Sequence, residues 1–379
     1  MTHNRPTLLA VSPVPPWPAS DGMALRVSRL ITELVRSWSI VLICPSGGES
    51  GSANGVELSA EINIPKNSKW MYLPTQYDVA PVVRLVADAI RAYQPQVALL
   101  WGGMDYLKQE LPEMPPAVND RVDCMTLSAW RQLLLARGRT IARRLNQLAD
   151  VAWYELRVRR GCDATVVVGE SDARVLRTLL GVRNVHVVPN GVEMPIAQPV
   201  ARSAQPTVMF TGVMNYQPNI DAVLYFVRDV WPTVRKDVPD AVFQIVGRSP
   251  TPEILALRSE RGVEVHADVR SVQEFLARAW LAVAPMRTGS GIKNKVLEAW
   301  STGTPAVMTP IASNGLRQAP SELLLTADGD ALADSISDLL TDRPRRTRLG
   351  ELARQTARNL FSWRGQANAL NGLLKTAAG

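Results

Sequence analysis

The chain has 379 residues, 46% of them hydrophobic and 20% charged, which suits a soluble globular protein with two cores of ordinary domain size. No apolar run approaches the roughly 18 residues of a membrane span, so the sequence reads against a bilayer-crossing protein. A formal charge of +7, from 42 basic and 35 acidic residues, suits an anionic partner: a phosphate ligand, an acidic glycan, nucleic acid or an anionic lipid surface.

In chain order, residues 7–12 read as a buried strand that runs straight into Pro13, Pro15, Pro16 and Pro18. That run is too short for a signal-peptide core, so a cytoplasmic protein is expected, working in solution or at the inner face of the membrane. Residues 22–36 have helical apolar spacing, 39–44 form the next strand, and the glycine- and serine-rich stretch 46–65 reads as a surface loop. Further strands at 97–101, 117–120 and 164–168 complete a parallel sheet. Before the last of these, Arg131, Arg137, Arg139, Arg143 and Arg144 share a helical stretch with Leu133, Leu134, Leu135, Ile141 and Leu145, and Trp153 follows. Such a stretch is either a solvated basic face over a buried stripe or a surface for anionic lipid and a lipid-linked acceptor. Trp17, Trp101 and Trp130 are expected in the core, with stacking on acceptor sugars as the alternative.

Residues 189–206 contain Pro189, Pro195, Pro199 and Pro206 and mark a linker, dividing the chain into domains at 1–190 and 191–362. Beyond it, strands at 207–213, 241–247, 263–266, 281–285, 305–309 and 322–326 alternate with helices at 220–235, 251–259, 271–279 and 292–301. That alternation is the mark of an α/β, doubly wound parallel sheet. A final helix from Trp363 follows a break and is expected to pack back on the first domain. Asp328-Gly329-Asp330, just before a helix at 331–340, reads as a turn and N-cap and not as a metal-binding pair. Cys44, Cys124 and Cys162 are odd in number and far apart, with neither metal-ligand nor redox spacing.

The densest chemistry lies in Gly289-Ser290-Gly291-Ile292-Lys293-Asn294-Lys295-Val296-Leu297-Glu298-Ala299. Two glycines between a strand and a helix, with added ammonium groups, make an anion cradle of backbone N–H groups at a positive helix end. Only seven of the basic residues are lysines, and two of them, Lys293 and Lys295, fall here. Lysine as a compact point charge suits a phosphate contact. Glu298, within two turns of the helix start, can accept hydrogen bonds from hydroxyls of the same ligand. Phosphate plus hydroxyls points to a nucleotide or a nucleotide sugar. A dinucleotide fingerprint does not fit, because Asn294 replaces its third glycine and the next strand ends without an acidic residue for the ribose.

These motifs together resemble the retaining glycosyltransferases of the GT-B fold related to glycogen synthase and bacterial mannosyltransferases, the glycosyl transferases group 1. The resemblance rests on the N-terminal Pro-x-Pro-Pro stretch before Gly22, on Val188-Pro189-Asn190-Gly191-Val192, on Phe210-Thr211-Gly212 and on the cradle itself. Met214 to Ala222 and Ile245 to Pro250 are most similar to sugar transferases of bacterial polysaccharide clusters.

The resemblance implies two Rossmann-like domains facing a cleft, a nucleotide diphosphate sugar held by the second domain, and a glycan or lipid-linked acceptor entering from the first. It implies retention of configuration and neither metal nor cofactor. By position Glu298 would hold the ribose, and Gly291, Ile292 and the helix start would face the diphosphate. Gly212, Arg248 and Ser290 line the donor side, and Gly22 sits in a first-domain loop open to the leaving phosphate. Ser290 stands where the family has a second glutamate, and Asn219 where a lysine is common, so Lys293 and Lys295 are expected to neutralise the diphosphate, assisted by Arg287 or Arg248. No histidine occupies the family's first-domain position; Asp120 or Asp123 lies there instead. Sugar-nucleotide epimerisation and noncatalytic sugar-nucleotide binding are the alternatives. The basic residues are dispersed without interleaved aromatics, so no nucleic-acid partner is expected.

Overall fold

The computed structural model describes residues 5–19, 21–64, 79–134, 136–195, 201–289 and 291–379. They separate into two compact units, Met1–Asn190 with Trp363–Gly379, and Gly191–Ser362.

The first unit runs β1 (Thr7–Val11), α1 (Gly22–Leu34), β2 (Ser39–Pro45), β3 (Ala60–Ile64), α2 (Ala80–Tyr93), β4 (Val97–Trp101), α3 (Leu107–Glu110) and β5 (Ala117–Val122). It continues with α4 (Met125–Leu134), α5 (Thr140–Arg157), β6 (Ala164–Val167), α6 (Glu170–Thr178) and β7 (Val185–Val187). The seven strands lie in the order β3-β2-β1-β4-β5-β6-β7, and every pairing is parallel. Leu8 and Ala10 enter one apolar cluster while Leu9 and Val11 enter another on the opposite face. A central strand covered on both faces needs an apolar side chain at every position, which explains the unbroken runs in β1, β2 and β4.

The edges depart from the sequence reading for the same reason. β3 lies inside the stretch expected to be a loop, because only Ile64 of Ala60-Glu61-Ile62-Asn63-Ile64 is buried and an edge strand needs little apolar content. β7, at the other edge, is three residues long and leaves no signal of its own.

The second unit contains β8 (Thr207–Val213), α7 (Gln217–Tyr225), α8 (Trp231–Asp237), β9 (Val242–Arg248), α9 (Pro252–Ala256), β10 (Val263–Ala267) and α10 (Val272–Arg278). It closes with β11 (Leu281–Ala284), α11 (Asn294–Ser301), β12 (Ala306–Met308), β13 (Leu325–Thr326), α12 (Asp330–Thr341) and α13 (Arg343–Leu360). Its parallel sheet has the order β10-β9-β8-β11-β12-β13. The single helix expected at 220–235 is interrupted by a π turn at Phe226–Val230, next to the proline that opens α8 and has no N–H to donate. The strand expected at 322–326 shrinks to Leu325–Thr326, since Ser321–Leu323 winds into a 3-10 turn. Gly329, at φ 56°, makes the turn before α12, so Asp330 opens that helix and does not cap it. Both sheets reverse strand order once, between β1 and β4 and between β8 and β11, and doubly wound sheets bind ligands at the carboxyl ends of such strands.

The last helix, α14 (Trp363–Ala378), belongs to the first unit. Leu370 and Leu374 are fully buried in the cluster of Leu30, Ile31, Leu34 and Trp38, and the Trp38 indole donates to Asn371 Oδ1 at 2.7 Å. We expect Leu370→Ala to destabilise the first unit by about 2–5 kcal/mol, the cost of an unfilled cavity at a buried leucine. Urea unfolding of the variant followed by the circular dichroism of the whole chain should show an early transition; unchanged unfolding would mean that α14 is not part of this core.

Candidate functional site

After β11 the chain passes through Gly289 at φ 103° and Gly291 at φ 65°, backbone regions that favour glycine, and enters α11 at Asn294. Ser290 lies outside the described residues. This loop follows the strand at the reversal of the second sheet, where the sequence places the cradle. Ile292 is buried beneath it. Lys293 is the extended N-cap of α11, and its Nζ donates to Gly291 O at 3.2 Å. A side chain at Gly289 would begin 3.3 Å from that ammonium.

Lys295 points inward. Its Nζ donates to Asn219 Oδ1 at 2.7 Å, stands 3.9 Å over the Phe210 ring and lies 3.6 Å from Met286 Sδ. Asn219 is fixed in turn by donating from Nδ2 to Val213 O at 2.9 Å. Gly212 makes that possible, because a Cβ there would lie 2.7 Å from Asn219 Nδ2. Gly247 lets β9 pass, since its Cβ would fall 1.8 Å from Gly212 O. Gly212 thus makes room for a side chain of this unit. Asn219, noted from sequence only as a missing lysine, is the residue that holds the lysine of α11. The signal available was a polar residue in the first turn of the helix that follows the β8 glycine.

Burial first, and then the Lys293 ammonium, press the Lys295 pKa from 10.5 down to about 7, with Glu298 acting in the opposite sense. Glu298 is one turn further along α11; burial raises its pKa and Lys295 lowers it. Among the described residues its carboxylate accepts no hydrogen bond and forms no ion pair, so it is free to accept from a ligand hydroxyl. Arg287 is committed elsewhere: its guanidinium pairs with both carboxylate oxygens of Asp221 and lies 4.9 Å over the Tyr225 ring. Arg248 ends β9 and is exposed.

In the first unit, Asp120 and Asp123 separate. Asp120 is fully buried and accepts from Arg26 Nε at 2.7 Å, from the Trp101 indole at 3.2 Å and from the Val122 amide at 3.2 Å. Arg26 also donates to Pro189 O and Asn190 Oδ1. The expectation of Asp120 at the reaction centre is therefore corrected: it is a buried ion-pair partner that shapes the turn after β5. In that turn Asp123 N donates to Arg121 O at 2.8 Å around Val122 at φ 66°, a tight turn that is strained for a β-branched residue. Asp123 emerges half-buried beyond it, close enough to stabilise the charge of Arg131. Gly22, expected in a loop, is the exposed first residue of α1, whose Met23 and Ala24 amides are already taken by the Asp21 carboxylate. Trp17 and Trp101 are core residues, whereas Trp130 is exposed. Cys44 and Cys124 are buried, Cys162 is half-buried, and none forms a disulfide. Among the described residues no group of three or more His, Cys, Asp or Glu could hold a metal ion.

The lowered Lys295 pKa has two consequences of known sign. Between pH 7 and 10.5 the folded chain holds fewer protons at this site than the unfolded chain, so the group makes stability rise with pH across that window. An oxyanion at Nζ favours the ammonium, so anion binding at about pH 8 must take up a proton. Calorimetry of pyrophosphate binding in buffers of different ionisation enthalpy should register this uptake, and Lys295→Met should abolish it; equal uptake in the variant would remove Lys295 from the site.

Residues 205–342 match the family described as glycosyl transferases group 1. No curated protein sequence matches the chain. Among solved structures, a sucrose-phosphate synthase from Thermosynechococcus elongatus superposes with a TM-score of 0.76 at 14% identity, over 98% of this chain and 99% of that one. A glycosyltransferase from Rickettsia africae gives 0.73 at 14% identity, covering 99% of both chains. The Anabaena protein HepE, solved in complex with UDP and glucose, gives 0.66 at 12% identity over 98% of this chain and 100% of that one. The chain has the two-sheet GT-B fold of these structures, and residues 205–342 of its second unit are similar in sequence to the group 1 glycosyl transferases.

Proposed function

We propose that the protein transfers a hexose from a nucleotide diphosphate sugar to a glycan or lipid-linked acceptor in the synthesis of a surface polysaccharide or glycoconjugate, with retention and without metal or cofactor. The observation that carries this reading is the arrangement on α11: two lysines in its first residues and an uncommitted carboxylate one turn on. The amides of Gly291 and Ile292 and both ammonium groups receive the diphosphate, and Glu298 accepts from the ribose hydroxyls. As the bond to the anomeric carbon breaks, negative charge grows on the leaving diphosphate beside Lys293 and Lys295, and stabilising it lowers the barrier. The same phosphate can take the acceptor proton, so no separate nucleophile is needed. Asp123, held by the Val122 turn, meets the acceptor. A neighbour solved with UDP and glucose supports this class of donor.

The α4–α5 pair supports a lipid-linked acceptor. Trp130, Leu134, Ile141, Leu145 and Trp153 are between 42% and 64% exposed, beside the exposed Arg137, Arg139 and Arg143; Leu135 lies outside the described residues. Apolar side chains in water next to guanidinium groups suit an anionic bilayer surface. No helix among the described residues is long and apolar enough to cross a membrane, so the contact is peripheral.

Nucleotide diphosphate sugars should raise the melting temperature of the wild type, one donor class most, and Glu298→Gln should weaken that donor by about tenfold or more, roughly 1.4 kcal/mol. Transfer or hydrolysis of the same donor must accompany binding. Binding without turnover on any acceptor would leave a noncatalytic protein, and full binding by the variant would reject the role of Glu298. In vesicle flotation the chain should rise with anionic but not with zwitterionic vesicles, and Trp130→Ser/Leu134→Ser should stay at the bottom; flotation insensitive to these changes would refute the lipid surface.

A further inference from the structure

A cavity of about 1130 Å³ lies in the second unit at the ends where its strands begin. Its lining includes Ser203 ahead of β8, Trp280 ahead of β11 and Gly303 ahead of β12, whereas the Lys293–Lys295 cradle follows the end of β11. The two sites are on opposite edges of one sheet.

One wall is a single face of α13. Arg343, Arg346, Gly350 and Arg354 are three, four and four residues apart, the spacing that aligns side chains along a helix. Gly350 lets this face approach the end of α11, because a Cβ there would lie 2.4 Å from Gly303 O. Arg202 stands opposite, donating to Ala279 O at 2.6 Å, Gly303 O at 2.6 Å and Thr304 Oγ1 at 2.7 Å. Arg346 donates to Leu339 O at 2.6 Å and Leu340 O at 3.0 Å, and its guanidinium lies 4.2 Å over Trp280. These two cations serve the local fold. Arg343 and Arg354 do not: among the described residues neither makes a side-chain hydrogen bond or an ion pair. Glu274 and Glu351 also line the cavity, yet no ion pair joins them to the four arginines among the described residues.

We propose that this cavity binds a sugar phosphate, with Arg343 and Arg354 as the phosphate contacts. Guanidinium groups suit a phosphate because their donors fork to two oxygens at once. The remaining wall supplies the Ser271 and Thr347 hydroxyls and two carboxylates, groups that pair with sugar hydroxyls, whereas the Ser301 and Thr302 hydroxyls are spent on Glu298 O and Ala299 O. The volume of about 1130 Å³ far exceeds what inorganic phosphate fills and stands just above the roughly 300–1,000 Å³ of small-ligand sites. Burial and the neighbouring Arg346 press the Arg202 pKa down, and burial and Arg343 do the same to Arg346, so an anion entering here relieves like-charge repulsion. This site is additional to the donor site on α11.

The test is calorimetric titration of the full chain with hexose 1- and 6-phosphates, inorganic phosphate and UDP. At least one hexose phosphate should bind both the free chain and the chain saturated with UDP. In Arg343→Gln/Arg354→Gln it should bind about tenfold or more weakly, with UDP affinity and melting temperature unchanged because these side chains hold nothing together. The proposal is overturned if no hexose phosphate binds, if UDP displaces the one that does, if inorganic phosphate binds as tightly, or if the double variant binds like the wild type.

Discussion

The charge on Lys295 is the constraint from which the rest of the second unit follows. Removing an ammonium group from water costs several kcal/mol even after relaxation. Its hydrogen bond to Asn219 returns about 1.5–3 kcal/mol and the face of Phe210 about 2 kcal/mol more. These gains fall near or below the cost, which agrees with a pKa pressed to about 7. A carboxylate partner would settle the deficit, but it would also neutralise the site. Asn219 accepts a hydrogen bond without contributing a negative charge, so the lysine is oriented yet still lacks a counterion. The close passages of Gly212 past Asn219 and of Gly247 past Gly212 keep that amide in place.

The first unit treats its charges in the opposite way. Arg26 and Asp120 are wholly buried and paired, and Arg121 is shared between Asp105 at 2.9 Å and Glu155 at 3.6 Å. Such pairs add little net stability but are costly to break from one side, which makes them good fixtures. Here they fix the end of β5. Asp120 holds the Val122 amide, Val122 O accepts from Val168 N at 2.9 Å, and Glu155 receives the Met125 and Thr126 amides at the start of α4. A β-branched residue in the left-handed region costs about 1–3 kcal/mol and persists only where its surroundings over-determine it. Three anchors around Val122 supply that determination, and Asp123 is delivered at the carboxyl edge of the sheet as a result.

The central strands, most helices and the glycine loop ahead of α11 were legible in the sequence for a physical reason. Strands covered on both faces must be continuously apolar, and glycines mark the turn from such a strand into a helix where φ is positive. β3 and β7 were not legible because edge strands escape the burial that writes the pattern. The roles of Asp120 and Asn219 were hidden more deeply. Each depends on partners far along the chain, Arg26 for the first and Lys295 for the second, and nothing local to either residue distinguishes a fixture from a ligand contact. The two aspartates of Val118-Asn119-Asp120-Arg121-Val122-Asp123 look alike in sequence; the ion pair with Arg26 is what sends one inward.

Lys295 and Glu298 are one turn apart on α11, the spacing at which a lysine and a glutamate usually pair, yet no ion pair forms between them. The reason is directional. Nζ is drawn to Asn219 Oδ1 and to the face of Phe210, both contributed by elements outside α11, and this leaves the carboxylate with its own desolvation uncompensated. Had the two paired, each would have satisfied the other and the helix start would be electrostatically quiet. Held apart, an ammonium oriented by its neighbours and a carboxylate without a partner among the described residues stand one turn apart on the same helix, and the desolvation of each that the other leaves unrelieved is what the fold bears for keeping them separate.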